Sequence, residues 1–154
     1  MFSILFSGCF YIGYIPKASG TFGSLLGLLF FFIQGFEKIE ILLPCIIICF
    51  CVGVVTSKVM MKKFGEDPSV VVIDEVVGMR LTVFIFMILS GLSPNWFVLI
   101  LSFFVFRFFD IVKIQPAKYF DNRHTGFGVM MDDVVAGIYA GIVVYLLSLI
   151  EIDL

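Results

Sequence analysis

The chain has 154 residues, of which 61% are hydrophobic and only 14% are charged, and its mean hydropathy is +1.15. Soluble domains carry roughly 25% charged residues, so a soluble fold could not bury this much apolar surface. The composition therefore predicts an integral membrane protein with a single domain, residues 1–154. We expect a lipid bilayer around the chain and no nucleic-acid partner.

Apolar segments alternate with charged loops along the chain. Residues 2–15 are apolar but are interrupted by Gly8 and Gly13, which favours an interfacial or re-entrant segment over a span. A turn-rich loop at 14–24 follows. The candidate spans are residues 22–36, 41–57, 76–91, 96–109 and 134–150. Several are shorter than the roughly 20 residues that cross a bilayer. The pattern predicts an all-α, polytopic protein with about four to five short transmembrane helices.

The basic residues predict the orientation of these helices. If the loops alternate sides, only Lys38 falls on one side of the membrane. The other side collects Lys17, Lys58, Lys62, Lys63, Arg80, Arg107, Lys113, Lys118 and Arg123. Arg80 and Arg107 lie within candidate spans and are assigned to the side that is nearer. The positive-inside rule then places the charged loops in the cytoplasm. Most acidic residues lie on the same side, so we expect a polar site that faces the cytoplasm.

Two adjacent acidic pairs stand out, Asp74–Glu75 and Asp132–Asp133. Each lies where a loop enters a predicted span, and one interpretation is N-capping, because acidic side chains are favoured at helix starts. One carboxylate per helix would suffice for that. The alternative is a divalent cation, most naturally Mg²⁺, which takes oxygen ligands and can bridge carboxylates to a phosphate. We favour the metal site.

Three charged residues, Arg107, Asp110 and Lys113, are spaced three apart in a predicted helix and share one face. They can form a ladder of i, i+3 salt bridges, or the two cations can hold a phosphate group while the carboxylate orients a cation or binds metal. The spacing alone leaves both readings open.

Glycine-rich turns precede two predicted helices. Backbone N–H groups at Gly126 and Gly128 can approach an anion, although a plain turn is the more frequent explanation. Thr21 can likewise cap a helix or contact a phosphate. Gly137 and Gly141 have the spacing of close helix packing.

The sequence excludes several kinds of phosphate chemistry. It has no P-loop, no Cys–Arg pair at the spacing of a cysteine phosphatase and no Asp-x-Asp strand motif. The four cysteines lie in apolar segments and are interpreted as small apolar side chains. Hydrolysis of a phosphate would most simply use water activated by a metal ion.

The chain resembles the phosphatidylglycerophosphatase A family of bacterial membranes. The resemblance rests on GTFGSL (20–25), DPSVVVIDEVVGM (67–79), FRFFDIVK (106–113) and GVMMDDVVAG (128–137), which occur in the family's order and spacing. The chain differs where the family usually has proline, at Ser19 and Ile114, and at Thr125, where a glycine is usual.

The resemblance implies a Mg²⁺-dependent enzyme of the bacterial inner membrane. Such an enzyme hydrolyses the terminal phosphomonoester of phosphatidylglycerophosphate to give phosphatidylglycerol, so its partner would be a membrane lipid. The candidate catalytic residues are then Asp74, Asp110, Asp121 and Asp133. The candidate metal ligands are Asp74, Glu75, Asp132 and Asp133. The candidate substrate-binding residues are Arg107, Lys113, Thr21, Gly126 and Gly128.

Two other functions remain open from the sequence. The substrate can be another lipid phosphate, such as phosphatidic acid, because the headgroup pocket is not readable from the residues. A small non-enzymatic transporter or ion-binding protein is the second alternative. It would place ionisable residues along the middle of its spans, whereas most of those here lie near one end.

Overall fold

The computed structural model describes residues 6–9, 12–14, 18–36, 38–65 and 70–152. Over these residues the secondary structure is helical, without strands. The helices are α1 (Ser19–Leu29), α2 (Ile39–Phe64), α3 (Ile73–Ser90), α4 (Trp96–Val112), α5 (Ala117–Asp121) and α6 (Gly126–Ile152). Short 3₁₀ helices cover Ile12–Tyr14 and Phe30–Phe32. The predicted all-α class is confirmed.

Each of the five candidate spans falls on one of the helices α1, α2, α3, α4 and α6. Over the described part of the chain, α2 and α6 are the two helices whose length and composition suffice to cross a membrane. Helix α2 has 26 residues and is therefore about 39 Å long. Many of its large apolar side chains are exposed, including Ile47, Ile48 and Val55, as expected for a surface that contacts lipid.

Helices α3 and α6 form the centre of the protein. Helix α3 packs against α1, α2, α4 and α6, and α6 packs against α2, α3, α4 and α5. Glycines allow the close approach of the two central helices. A Cβ at Gly137 would lie 2.6 Å from the backbone oxygen of Gly78, and one at Gly141 would lie 2.8 Å from that of Thr82. The prediction that Gly137 and Gly141 serve helix packing is confirmed.

Two predicted loop boundaries are wrong. The turn-rich loop assigned to residues 14–24 ends early, because α1 begins at Ser19. Glycines 20, 23 and 27 are weak helix formers, but they lie on the side of α1 that packs against α3, and this packing outweighs their low propensity. The last span was expected from residue 134, but α6 begins at Gly126, where the Thr125 hydroxyl accepts a hydrogen bond from the N–H of Gly128 at 3.0 Å.

Residues 7–9 are buried among the helices, and Phe6 is half-buried. The Ser7 hydroxyl donates to the Thr56 hydroxyl at 2.6 Å, and the Ser7 carbonyl accepts from the N–H of Val72 at 2.8 Å. These contacts fasten the N-terminal segment to α2 and to the start of α3. The remainder of the segment predicted as interfacial or re-entrant, residues 2–5, 10–11 and 15, lies outside the described residues.

Candidate active site

The first acidic pair lies where the sequence predicted it. Asp74 and Glu75 are in the first turn of α3, and Val72, which precedes the helix, makes no side-chain cap. The N–H of Glu75 donates to Asp74 Oδ1 at 3.1 Å. The helix dipole favours negative charge at this position, so capping remains a sufficient explanation for one of the two carboxylates.

The second acidic pair is not at a helix start. Asp132 and Asp133 are the seventh and eighth residues of α6, and they are only 6% and 3% exposed. The prediction that this pair begins a helix is wrong, because Thr125 starts the helix two turns earlier. Capping cannot explain buried carboxylates in a helix interior, and burial of a carboxylate is costly unless it is paired or bound to a cation.

Three of the four carboxylates converge. Oxygens of Asp74, Glu75 and Asp133 all lie within 4.8 Å of one another. Glu75 Oε2 is buried and has no hydrogen-bond partner among the residues that the structure describes. Like charges at this separation repel strongly in a low-dielectric setting. A divalent cation with a preference for oxygen ligands fits this set of donors.

A guanidinium lies beside this cluster. Arg107 Nη1 is 2.5 Å from Asp110 Oδ2, which is the i, i+3 ion pair that the spacing allowed. Gly20 on α1 lies against both the ion pair and the cluster. A Cβ at Gly20 would be 2.6 Å from Glu75 Oε1 and 2.9 Å from Arg107 Nη1. The N-terminal turn of α1 therefore closes one side of the carboxylate cluster.

Lys113 does not continue the face of Arg107 and Asp110. Helix α4 ends at Val112, and Lys113 adopts a left-handed conformation with φ 48°. Its ammonium instead donates to Asp121 Oδ1 at 2.5 Å and to Asp132 Oδ2 at 2.7 Å. The expected three-residue face is wrong in this respect, because the helix terminus redirects the lysine.

The electrostatics of Lys113 follow from these two partners. Partial burial lowers the pKa of Lys113, but the carboxylates of Asp132 and Asp121 outweigh this effect and raise its pKa above the usual range. The ammonium is therefore charged at neutral pH and links α5 to α6. It also holds Asp132, the acidic residue that directly precedes Asp133 of the cluster.

The remaining predicted site residues lie nearby in packing positions. Thr21 is half-buried in the first turn of α1, next to Gly20. A Cβ at Gly126 would be 2.3 Å from the backbone oxygen of Val54, and one at Gly128 would be 2.5 Å from that of Phe120. Both glycines thus allow close helix contacts. Their predicted approach to an anion, and that of Thr21, stay predictions.

Gly20 is the position that the sequence reasoning missed. Thr21 was singled out in the same motif because its side chain can bind a phosphate, whereas a glycine offers only space. The available signal was the spacing of Gly20, Gly23 and Gly27, which places all three on one side of a helix. That pattern predicts close contact with a neighbouring helix, and here the neighbour carries Glu75.

Comparison with known proteins identifies the family. Residues 5–148 match the family model described as phosphatidylglycerophosphatase A. The chain is 38% identical over 137 residues to the Phosphatidylglycerophosphatase A of Haemophilus influenzae, covering 86% of this chain and 80% of that protein. It is 32% identical over 139 residues to that of Escherichia coli, covering 88% and 77%. The chain belongs to the phosphatidylglycerophosphatase A family.

A relative with a different name is similar to a comparable degree. The chain is 35% identical over 138 residues to a Putative phosphatidylinositol-3-phosphatase of Bacteroides thetaiotaomicron, covering 86% of this chain and 84% of that protein. No solved structure matches the chain. The resemblance found in the four sequence motifs is thus confirmed for the family.

Proposed function

We propose that this chain is a Mg²⁺-dependent lipid phosphatase that hydrolyses the terminal phosphomonoester of phosphatidylglycerophosphate and releases phosphatidylglycerol. The observation that carries the proposal is the convergence of Asp74, Glu75 and Asp133 within 4.8 Å in a chain of this family. Phosphatidylglycerophosphatase activity is what the names of two relatives state.

Mg²⁺ would be held by Asp74, Glu75 and Asp133, whose closely spaced oxygens need a counter-charge. When bound, it would neutralise charge on the phosphoryl group and activate water. Asp132 was also predicted as a ligand. Its Oδ2 is occupied by Lys113, while its Oδ1 accepts from the N–H of Asp133 at 3.0 Å. We therefore assign Asp132 to positioning.

The side chains around the cluster would bind and orient the substrate phosphate. Arg107 lies against Gly20 next to Glu75, and its guanidinium presents several donors that suit phosphate oxygens. Asp110 fixes the guanidinium through the ion pair at 2.5 Å. Asp121 and Asp132 hold the ammonium of Lys113 in the same way. These contacts give the predicted cations fixed positions before substrate arrives.

The site would lie at the cytoplasmic face of the bacterial inner membrane. We propose that the chain is a single domain that crosses the bilayer four to five times, with α2 and α6 as full-length spans. The lysines at the C-terminal end of α2, Lys58, Lys62 and Lys63, support this orientation, because cytoplasmic ends are rich in basic residues. The lipid headgroup would then reach the cluster from the membrane surface.

For the lipid headgroup, the relatives indicate a specific alternative to phosphatidylglycerophosphate. One relative is named for a phosphoinositide substrate, at an identity between those of the two phosphatidylglycerophosphatases. Phosphatidylinositol 3-phosphate and phosphatidic acid carry the same phosphomonoester on different groups. The same carboxylates and Arg107 would serve all three, so the choice must be measured.

The test is phosphate release by the detergent-purified protein from these three lipids, with Mg²⁺ and then with EDTA. We expect Mg²⁺-dependent release that is fastest from phosphatidylglycerophosphate. Fastest release from another lipid would contradict the proposed headgroup preference. Release that persists in EDTA would contradict the proposed requirement for Mg²⁺. No release from any lipid, in protein shown to be folded, would favour the ion-binding alternative.

A further inference from the structure

A second candidate site lies on the other side of α3. A cavity of about 490 Å³ lies between α1, α2, α3 and the N-terminal segment, and its walls include Phe30, Phe36, Cys49 and Val76. Arg80 also lines it and is the only charged side chain that does so among the described residues. A volume of this size is in the range of small-molecule sites.

The cavity is separate from the carboxylate cluster. A Cβ at Gly78 would lie 2.7 Å from the backbone oxygen of Asp133, so this face of α3 points toward α6 and the cluster. Arg80 follows two residues later and is therefore about 200° around the helix axis. Its guanidinium lies 5.1 Å from the ring centre of Phe30 and 5.7 Å from that of Phe36, toward the connection between α1 and α2.

This position corrects one expectation from the sequence. Arg80 was grouped with the cytoplasmic cations because its place in the chain is nearer that end. Its contacts with Phe30 and Phe36 instead direct the guanidinium toward the opposite end of α1. None of the ion pairs found over the described ranges includes Arg80.

The guanidinium is buried with donors unused. Arg80 is 4% exposed. Its Nε and Nη2 atoms are closed off from the cavity and have no hydrogen-bond partner among the described residues. An unpaired buried donor is costly, and it is more costly when it is charged. Two aromatic rings compensate only part of this cost. Ionisable residues in such an apolar setting mark functional sites by default.

The two unused donors define the shape of the missing partner. Nε–H and the nearer Nη2–H of an arginine lie along the same edge of the planar group and point the same way. This edge binds two oxygens of one phosphate or carboxylate side by side. The partner is therefore an oxyanion, and the apolar walls around it fit a hydrocarbon chain attached to that oxyanion.

We propose that this cavity binds an anionic membrane phosphoglyceride, with an acyl chain along the apolar walls. Its phosphodiester would take the Nε–Nη2 edge of Arg80 once the guanidinium turns toward the cavity. Phosphoglycerides fit because a membrane protein is surrounded by them and they join this oxyanion to a chain. The site is distinct from the proposed catalytic cluster, and it does not depend on the reaction proposed there.

The cysteines of α2 offer a direct measurement. Cys45 and Cys49 line the cavity, whereas Cys51 is exposed on the same helix and does not. Delipidated protein in detergent would be treated with a small thiol reagent, and labelling of each cysteine followed by mass spectrometry. We expect phosphatidylglycerol to slow the labelling of Cys45 and Cys49 about tenfold or more and to leave Cys51 unchanged. Diacylglycerol, which lacks the phosphate, should protect neither.

Variants test separately whether binding requires the contact with the anion and the space for the acyl chain. Arg80→Gln should remove the protection, whereas Arg123→Gln, an exposed arginine stacked on Tyr119, should retain it. If Arg80→Gln does not fold, Cys49→Phe fills the cavity, keeps the guanidinium and should abolish protection of Cys45. Protection that survives in Arg80→Gln, or equal protection by diacylglycerol, would overturn the proposal. So would an absence of protection in the wild type.

Two further arms test the identity of the oxyanion. Protection by a fatty acid but not by phosphatidylglycerol would show a carboxylate site and overturn the phosphodiester. Glu37 follows Phe36 in the sequence and lies outside the described residues. Glu37→Gln should leave the affinity for phosphatidylglycerol unchanged. An affinity raised tenfold or more would show that Glu37 occupies the edge of Arg80, which would also overturn the proposal.

Discussion

The two acidic pairs of this protein look alike in sequence but occupy different places in their helices. Asp74–Glu75 is in the first turn of α3, and Asp132–Asp133 is two turns into α6. In both pairs the second residue donates its N–H to the carboxylate of the first, at 3.1 and 3.0 Å. The same local hydrogen bond therefore occurs at a helix start and in a helix interior.

The difference shows which carboxylates need a functional explanation. At the start of α3, the helix dipole stabilises negative charge. In the interior of α6 no such effect acts, and the two carboxylates must find partners. Asp132 pairs with Lys113 at 2.7 Å, whereas Asp133 lies next to the two acids of α3 and forms no ion pair with any described residue. Asp133 is thus the carboxylate whose position is hardest to explain without a cation.

Replacement of Asp133 should have the largest effect. We expect Asp133→Asn to lower turnover of phosphatidylglycerophosphate by roughly 10³-fold, because a ligand of the proposed metal is lost. The fold should persist, since the change also removes repulsion within the cluster. Thermal unfolding in detergent provides a second measurement. Mg²⁺ should raise the melting temperature of the wild type by binding the folded state, but not that of the variant. Turnover at the wild-type rate in Asp133→Asn would show that the Asp133 carboxylate is not essential.

The next effect concerns the phosphate grip beside the cluster. Arg107→Lys should lower kcat/KM roughly 100-fold despite the conserved charge, because an ammonium cannot reproduce the paired donors of a guanidinium. Arg123→Lys is the matched control, since Arg123 is exposed and stacks on Tyr119. Unchanged kinetics in Arg107→Lys would show that the ion pair with Asp110 is only structural.

Breaking the bridge of the second pair should have a smaller effect. Lys113→Gln and Asp132→Asn each remove the contact at 2.7 Å and should lower kcat by roughly 10-fold to 100-fold, the usual cost of disturbing a group that orients a ligand. The double variant should lose no more than either single one, because both act through one contact. Fully additive losses would mean that the two residues act independently.

The sequence predicted those parts of the molecule that depend on local composition. Each of the five candidate spans lies on a helix, and the first acidic pair lies at a helix start as expected. Two of the errors occur where a single residue at a helix end decides the outcome. Thr125 starts α6 eight residues before the predicted boundary, and the left-handed Lys113 ends α4 before its charge can join the Arg107 face. A helix end that is set by one residue hardly changes the hydropathy pattern, so the pattern does not locate it.

The charged residues of the candidate site were predictable, and so was the i, i+3 pair of Arg107 and Asp110, but the partners of Lys113 were not. Loop alternation predicts carboxylates and cations on one side of the membrane, whereas pairing between helices depends on how closely the helices approach. Glycines control that approach, and they carry no charge to draw attention to them. Gly20 shows this most clearly, because its contact with Glu75 and Arg107 exists only through the absence of a side chain.

The smallest expected effect therefore comes from two glycines of α1. Gly20→Ala places a methyl group against Glu75 Oε1 and Arg107 Nη1, which are the ends of flexible side chains and can move. We expect activity to fall roughly tenfold through this displacement, with no loss of stability, because alanine favours the helix.

Gly27→Ala instead meets the Cβ of Met79 and the backbone oxygen of Val76, both at 3.1 Å. It should lower the melting temperature and leave the activity of the folded protein intact. The reverse result, a destabilised Gly20→Ala with full activity, would mean that the first turn of α1 packs against the cluster without shaping it.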